Sequence, residues 1–176
     1  LNKTDISILG KTYQIMVSSA SQIAKHLREI YFGGNWTYSN LKDHLSDVSW
    51  QQATTQVHAF NTIATLVFHM NYYTTAATEV LEGGKLNSKD ELSFDHPPIN
   101  SKEDWDELIE SVMQDTEKFA ILIEQLPDEK LSKDFTDKKY GLYFRNLFGI
   151  VEHAHYHLGQ IVLIKKLIQQ TKTPHS

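Results

Sequence analysis

Proline stands at only four positions, Pro97, Pro98, Pro127 and Pro174, so three long stretches run without the residue that most strongly interrupts a helix. Each stretch also carries helical spacing. From Tyr13 to Tyr31, Met16, Ala20, Ile23, Leu27 and Ile30 recur at intervals of three and four, and Gly33-Gly34 follows as a stop, which predicts helix one. Residues 35–50 are mixed, with room for one short turn around Leu41 to Leu45, and read as a structured connection. A second periodic segment starts at about Gln51 or Gln56 and runs to Glu82 through Ile63, Leu66, Val67, Met70, Ala77 and Leu81, ending at Gly83-Gly84. The third has Asn100 and Ser101 as caps, acids in its first turn, and Trp105, Leu108, Ile109, Val112, Phe119, Leu122 and Leu126 before Pro127. The fourth spans about Tyr143 to Gln170. It is apolar over most of its circumference, as expected of a helix that sits centrally or faces a second subunit. Strand signals are thin and there is no solenoid repeat. The expectation is an all-α four-helix bundle, one domain over residues 1–176.

Charge and composition narrow the function. Seventeen Lys and Arg against 22 Asp and Glu give a net charge of -5, with no basic block to neutralise a row of phosphates, so nucleic acid is not an expected partner. No apolar run approaches the roughly 18 to 20 residues that span a bilayer, and the N-terminus lacks a charged-then-apolar signal pattern; no membrane partner and a cytoplasmic location are expected. The chain has no cysteine, which removes disulfides, thiolate nucleophiles and sulfur-ligated zinc. Any metal site must use His, Asp or Glu, and the nine histidines become the residues to follow.

The sharpest local feature is Glu152-His153-Ala154-His155-Tyr156-His157-Leu158-Gly159-Gln160 in helix four. At about 100° per residue His153 and His157 lie roughly 40° apart, one turn from each other, and both rings can reach one ion. His155 is roughly 200° from His153 and reads as a packing or interface residue. Gln160, about one turn past His157, is placed to support the pair or to touch a substrate. A third ligand must come from another element. Of His26, His44, His58, His69, His96 and His175, His69 is best placed, in the middle of helix two on the face of Thr62, Thr65, Tyr73 and Ala76. His58 shares that face but lies about 16 Å along the axis, too far for the same ion. Zincin chemistry is not expected, because position 154 is Ala where H-E-x-x-H needs Glu. A ferritin-like di-metal centre is not expected either, because only one Glu-x-x-His occurs, Glu152 to His155, and it lies off the His153/His157 face.

These residues resemble the DinB-like superfamily of four-helix-bundle metal proteins. The resemblance covers nearly the whole chain: Asn35-Trp36-Thr37 after helix one, Asn61 to Met70 in helix two, Trp105 through Leu126-Pro127-Asp128-Glu129-Lys130-Leu131, and His153 to Ile161 in helix four. In that family one histidine of helix two and an H-x-x-x-H pair before Gly-Gln bind one divalent ion, which implies His69, His153 and His157 as metal ligands here. Zn, Ni, Fe or Mn would suit three imidazoles. The resemblance implies a metal-dependent thiol transferase or hydrolase in which the ion activates a thiol or water toward a small electrophilic substrate, with a low-molecular-weight thiol as cosubstrate. Tyr73, Gln160, Trp36 and Tyr156 are candidates to line the pocket, and the apolar circumference of helix four suggests a homodimer. The competing reading is a non-catalytic, stress-associated metal-binding or dimerisation module. An open coordination position would favour the enzyme, and a fourth protein ligand the module.

Overall fold

The computed structural model describes residues 18–170, and before them only the antiparallel backbone pairing of β1 (Ser7–Ile8) with β2 (Lys11–Thr12). Six α-helices follow: α1 (Ser19–Phe32), α2 (Leu41–Leu45), α3 (Trp50–Ala53), α4 (Ile63–Leu81), α5 (Lys102–Glu124) and α6 (Tyr143–Gln170). The four long ones form the bundle. α5 packs between α1 and α4 on one side and α6 packs between the same two on the other, so α4 and α6 are neighbours.

Local chemistry sets the helix ends. The hydroxyls of Ser18, Thr62 and Ser101 each accept the backbone N–H three residues on, satisfying a donor that the first helical turn leaves unpaired. Ser18 is extended, so α1 begins at Ser19; the expected start at Tyr13, with Met16, lies outside the described residues. Gly33 ends α1 at φ 105°, a conformation that disfavours any side chain. The fourth helix has the bounds its pattern predicts.

The second helix does not. A separate short α3 starts at Trp50 behind the cap Ser49, whose side chain and that of Gln52 cap each other's backbone N–H groups, and it stops at Ala53. His58, at φ 49°, then turns the chain while the Gln56 amide donates to the His58 and Phe60 carbonyls, so α4 begins only at Ile63. His58 is therefore in a turn, not on the helix-two face.

Interior packing joins all four bundle helices through Leu27 and Ile30 of α1, Ile63 and Val67 of α4, Trp105, Phe119 and Ile123 of α5, and Leu147, Leu158 and Ile161 of α6. Burying each such side chain contributes about 1.5–3 kcal/mol. The Trp105 indole N–H donates to the Val48 carbonyl at 2.9 Å, fastening the α2–α3 connection to α5. Helix α6 is less enclosed than its composition suggests. Phe144 and Phe148 stack at 5.7 Å yet stay 48% and 37% exposed, because the helix is covered toward α1, α4 and the 3₁₀ turn Asp128–Ser132 and not on this face. Among the described residues no helix is long and apolar enough to cross a membrane.

Candidate metal centre

Packing of α4 against α6 brings His69, His153 and His157 together, with one ring nitrogen of each inside a 4.8 Å span. His153 Nε2 is 3.0 Å from His69 Nε2 and 2.9 Å from His157 Nε2. His69 and His157 are buried, and His153 is partly so. The 3.6-residue period places His153 and His157 one above the other, and mid-helix His69 meets them at the same depth.

The outer nitrogens fix which way the lone pairs point. Ser93 Oγ donates to the Asp90 carbonyl at 2.7 Å, so it accepts from His69 Nδ1 at 3.0 Å. Gln160 Oε1 only accepts, so His157 Nδ1 donates to it at 2.6 Å, and the Gln160 amide donates on to the Tyr156 hydroxyl at 3.1 Å. With protons on both Nδ1 atoms, the Nε2 atoms of His69 and His157 carry bare lone pairs aimed at His153. One proton on His153 can bridge to only one of them, whereas a cation between the three satisfies all. Ligand bonds of about 2.0–2.1 Å in tetrahedral geometry put nitrogens roughly 3.3 Å apart, a few tenths of an ångström wider than these contacts.

Electrostatics favour the same state. Burial, then the neighbouring His157 and His69, lowers the His153 pKa to about 4. Burial first, then His157, lowers that of His69, and burial lowers His157 against the opposing Gln160 contact. The site is therefore uncharged at neutral pH, the form in which imidazole binds metal.

One side of the cluster opens on a cavity of about 490 Å³ walled by His69 and His153. His157 does not line it and closes the cluster from behind. Among the described residues no carboxylate joins the three imidazoles as a fourth donor. The donor set fits a borderline divalent ion with a position free toward the cavity.

The sequence matches the model of the DinB superfamily over residues 22–161. The chain belongs to the DinB superfamily. No curated protein and no solved structure matches it. Family membership and the histidine geometry together make this DinB chain compatible with metal binding.

Other sequence candidates separate clearly. Tyr73 lines the cavity, its ring edge-on to His69 and His153 and its hydroxyl donating to Asp90 Oδ1 at 2.8 Å. Gln160 and Tyr156 stand behind His157 rather than on the cavity wall. Trp36 does not line the pocket: it is 95% exposed on a turn that buried Asn35 builds by accepting from Thr37 and Ser39 and donating to the Glu29 and Ser39 carbonyls. His26 is exposed near Glu29, His155 is exposed, and His44 meets Ser39. His96 packs by Phe68, and His175 lies outside the described residues. Sequence reasoning missed the 3₁₀ turn Asp90–Phe94. It supplies Ser93 and also Phe94, whose ring stacks on His69 at 4.1 Å. No periodicity marks that loop, and only the tertiary fold brings it over α4.

Proposed function

We propose that this DinB-superfamily chain is a metal-dependent enzyme in which His69, His153 and His157 hold one divalent ion, Zn, Ni, Fe or Mn, and act on a small electrophilic substrate by thiol transfer or hydrolysis. The observation that carries the reading is the pair of outward-anchored imidazoles whose free lone pairs converge on His153, which lines a cavity. A bound divalent ion there supplies Lewis acidity that favours the deprotonated form of a thiol or water.

The chain's own residues do the rest. Ser93 and Gln160 hold the His69 and His157 rings in the tautomer and orientation that present Nε2. Phe94 covers the His69 face and excludes water from it. Tyr73 and Asp90, bonded to each other at the cavity wall, offer a polar edge to whatever enters. The absence of cysteine from the sequence fits a thiol nucleophile brought by a cosubstrate of low molecular weight.

The test is conjugation of a small thiol to a chromogenic electrophile before and after metal removal by chelator and restoration by each candidate ion. Turnover that disappears on chelation and returns with one ion supports the reading. Turnover indifferent to metal overturns it. We also propose self-association through the outer face of α6, where the Phe144–Phe148 stack is half exposed. Sedimentation of the wild type and of Phe148→Glu tests it, with a dimer expected only for the former. A dimer with no metal-dependent turnover would instead favour a non-catalytic binding module.

A further inference from the structure

The cavity beside the histidines is electrically lopsided. Its acids, Asp90 and Glu152, belong to the end with His69 and His153: Glu152 adjoins His153, and Asp90 is held by Tyr73. Its cation, Arg145, lies at the other end, eight residues before His153 on the same helix, or about 12 Å along the axis. A second cavity of about 480 Å³ shares the walls Leu86, Phe135 and Tyr140 with the first and adds Lys85, so the groove continues away from the histidines past a second cation. Asp137, whose carboxylate accepts the Lys139 backbone N–H at 3.1 Å, is the acid on that second wall.

Arg145 is exposed at the mouth of the groove, and its charge is not neutralised by a neighbouring carboxylate. The charged groups of Arg28, Lys102, Lys118 and Lys165 all meet carboxylates. The Arg145 guanidinium makes no hydrogen bond or ion pair among the described residues, and neither does Glu152, two turns on along the same face. Its stem is nonetheless seated. Gly141, at φ +76°, leaves the space it occupies, since a Cβ there would come within 3.1 Å of Arg145 Cδ. Between Arg145 and His153 the groove floor is Gly149, where a Cβ would meet nothing within 4 Å. An open channel therefore joins a site for an electron-rich donor atom to a fork of guanidinium donors matched to a planar anion.

We propose that Arg145 is the anion anchor of this groove, and that the small molecule admitted is a thiol carrying a carboxylate at the end remote from its sulfur. The inference rests on the metal-site reading above and adds the class of ligand. Glu152 and Asp90, close to the ion site, repel a carboxylate from that end, which fixes the direction in which such a molecule lies. Gly149 keeps the middle clear for its chain.

The experiment is calorimetric binding of 6-mercaptohexanoate and its neutral counterpart 6-mercaptohexanol to the full chain loaded with zinc, for wild type, Arg145→Gln and Gly149→Leu, with zinc content measured for each. Wild type should bind the carboxylate probe about tenfold more tightly than the alcohol, the scale of a charge-assisted contact. Arg145→Gln should remove that preference and leave the alcohol unchanged, and Gly149→Leu should weaken both probes while zinc is retained. If zinc is held but wild type binds the two probes alike, or Arg145→Gln weakens both equally, the anion anchor is overturned and the metal reading stands. If zinc is not held by the wild type, the metal reading falls and this inference with it.

Discussion

Replacing Ser93 with alanine removes the acceptor of His69 Nδ1 without touching a ring nitrogen that faces the cluster. Ser93 is fully buried, and its hydroxyl bridges His69 Nδ1 at 3.0 Å to the Asp90 carbonyl at 2.7 Å, so no solvent stands ready to replace it. In the metal-free protein the loss is partly escapable. The His69 proton can move to Nε2 and point at His153 Nε2, 3.0 Å away, and the stability cost should stay near 1 kcal/mol. With metal bound that escape is closed, because Nε2 is committed and the Nδ1 proton is left buried without a partner. Metal affinity should therefore fall about 10- to 100-fold, equivalent to roughly 1.4–2.7 kcal/mol. Competition against a chromogenic chelator at neutral pH measures it. Thr78→Ala serves as control, since it removes another buried hydroxyl on α4 that bonds only the Thr74 carbonyl. Affinity within twofold of wild type for Ser93→Ala, or an equal loss in the control, would refute the argument that Ser93 sets the His69 tautomer.

Two further outcomes follow from the structure. The folded-state pKa values of His69, His153 and His157 lie below the ordinary 6.5, that of His153 at about 4, so the unfolded chain binds more protons between those values. Metal-free protein should hold constant stability above about pH 7 and lose it as the pH falls from 6.5 toward 4; chemical denaturation across that range checks this, and His153→Asn should flatten the slope. Trp105→Phe should cost about 1–3 kcal/mol by leaving the buried Val48 carbonyl unpaired, with metal affinity unchanged, as denaturant melts and chelator competition would report.

Helix existence was legible because each long element carries its signals locally. The pattern from Tyr143 to Gln170 needs no tertiary information, and neither do the Ser101 cap or Gly33. The break before α4 was legible in principle. Ser49 with Gln52 spells a capping box and Thr62 caps Ile63, but apolar spacing upstream of Ile63 masked both. Two of the three clustered histidines follow from helical period alone, and the third from its depth in the bundle. The cradle around them was not readable. Ser93 and Phe94 lie in a loop whose position depends on how residues 82–100 cross α4, and Arg145 acquires its meaning only when the cavity places it opposite Tyr73 and Asp90. Trp36 misled for the converse reason: a large aromatic usually packs inward, and here buried Asn35 spends its hydrogen bonds holding that turn outside the core.

Metal content of the purified protein, by elemental analysis, tests the central claim most directly when wild type is compared with His69→Ala, His153→Ala, His157→Ala and the exposed control His155→Ala. The three-histidine centre predicts about one divalent ion per chain in wild type and control, and loss from each of the other three. An ion-free wild type, or a His155→Ala variant as depleted as the rest, would contradict it.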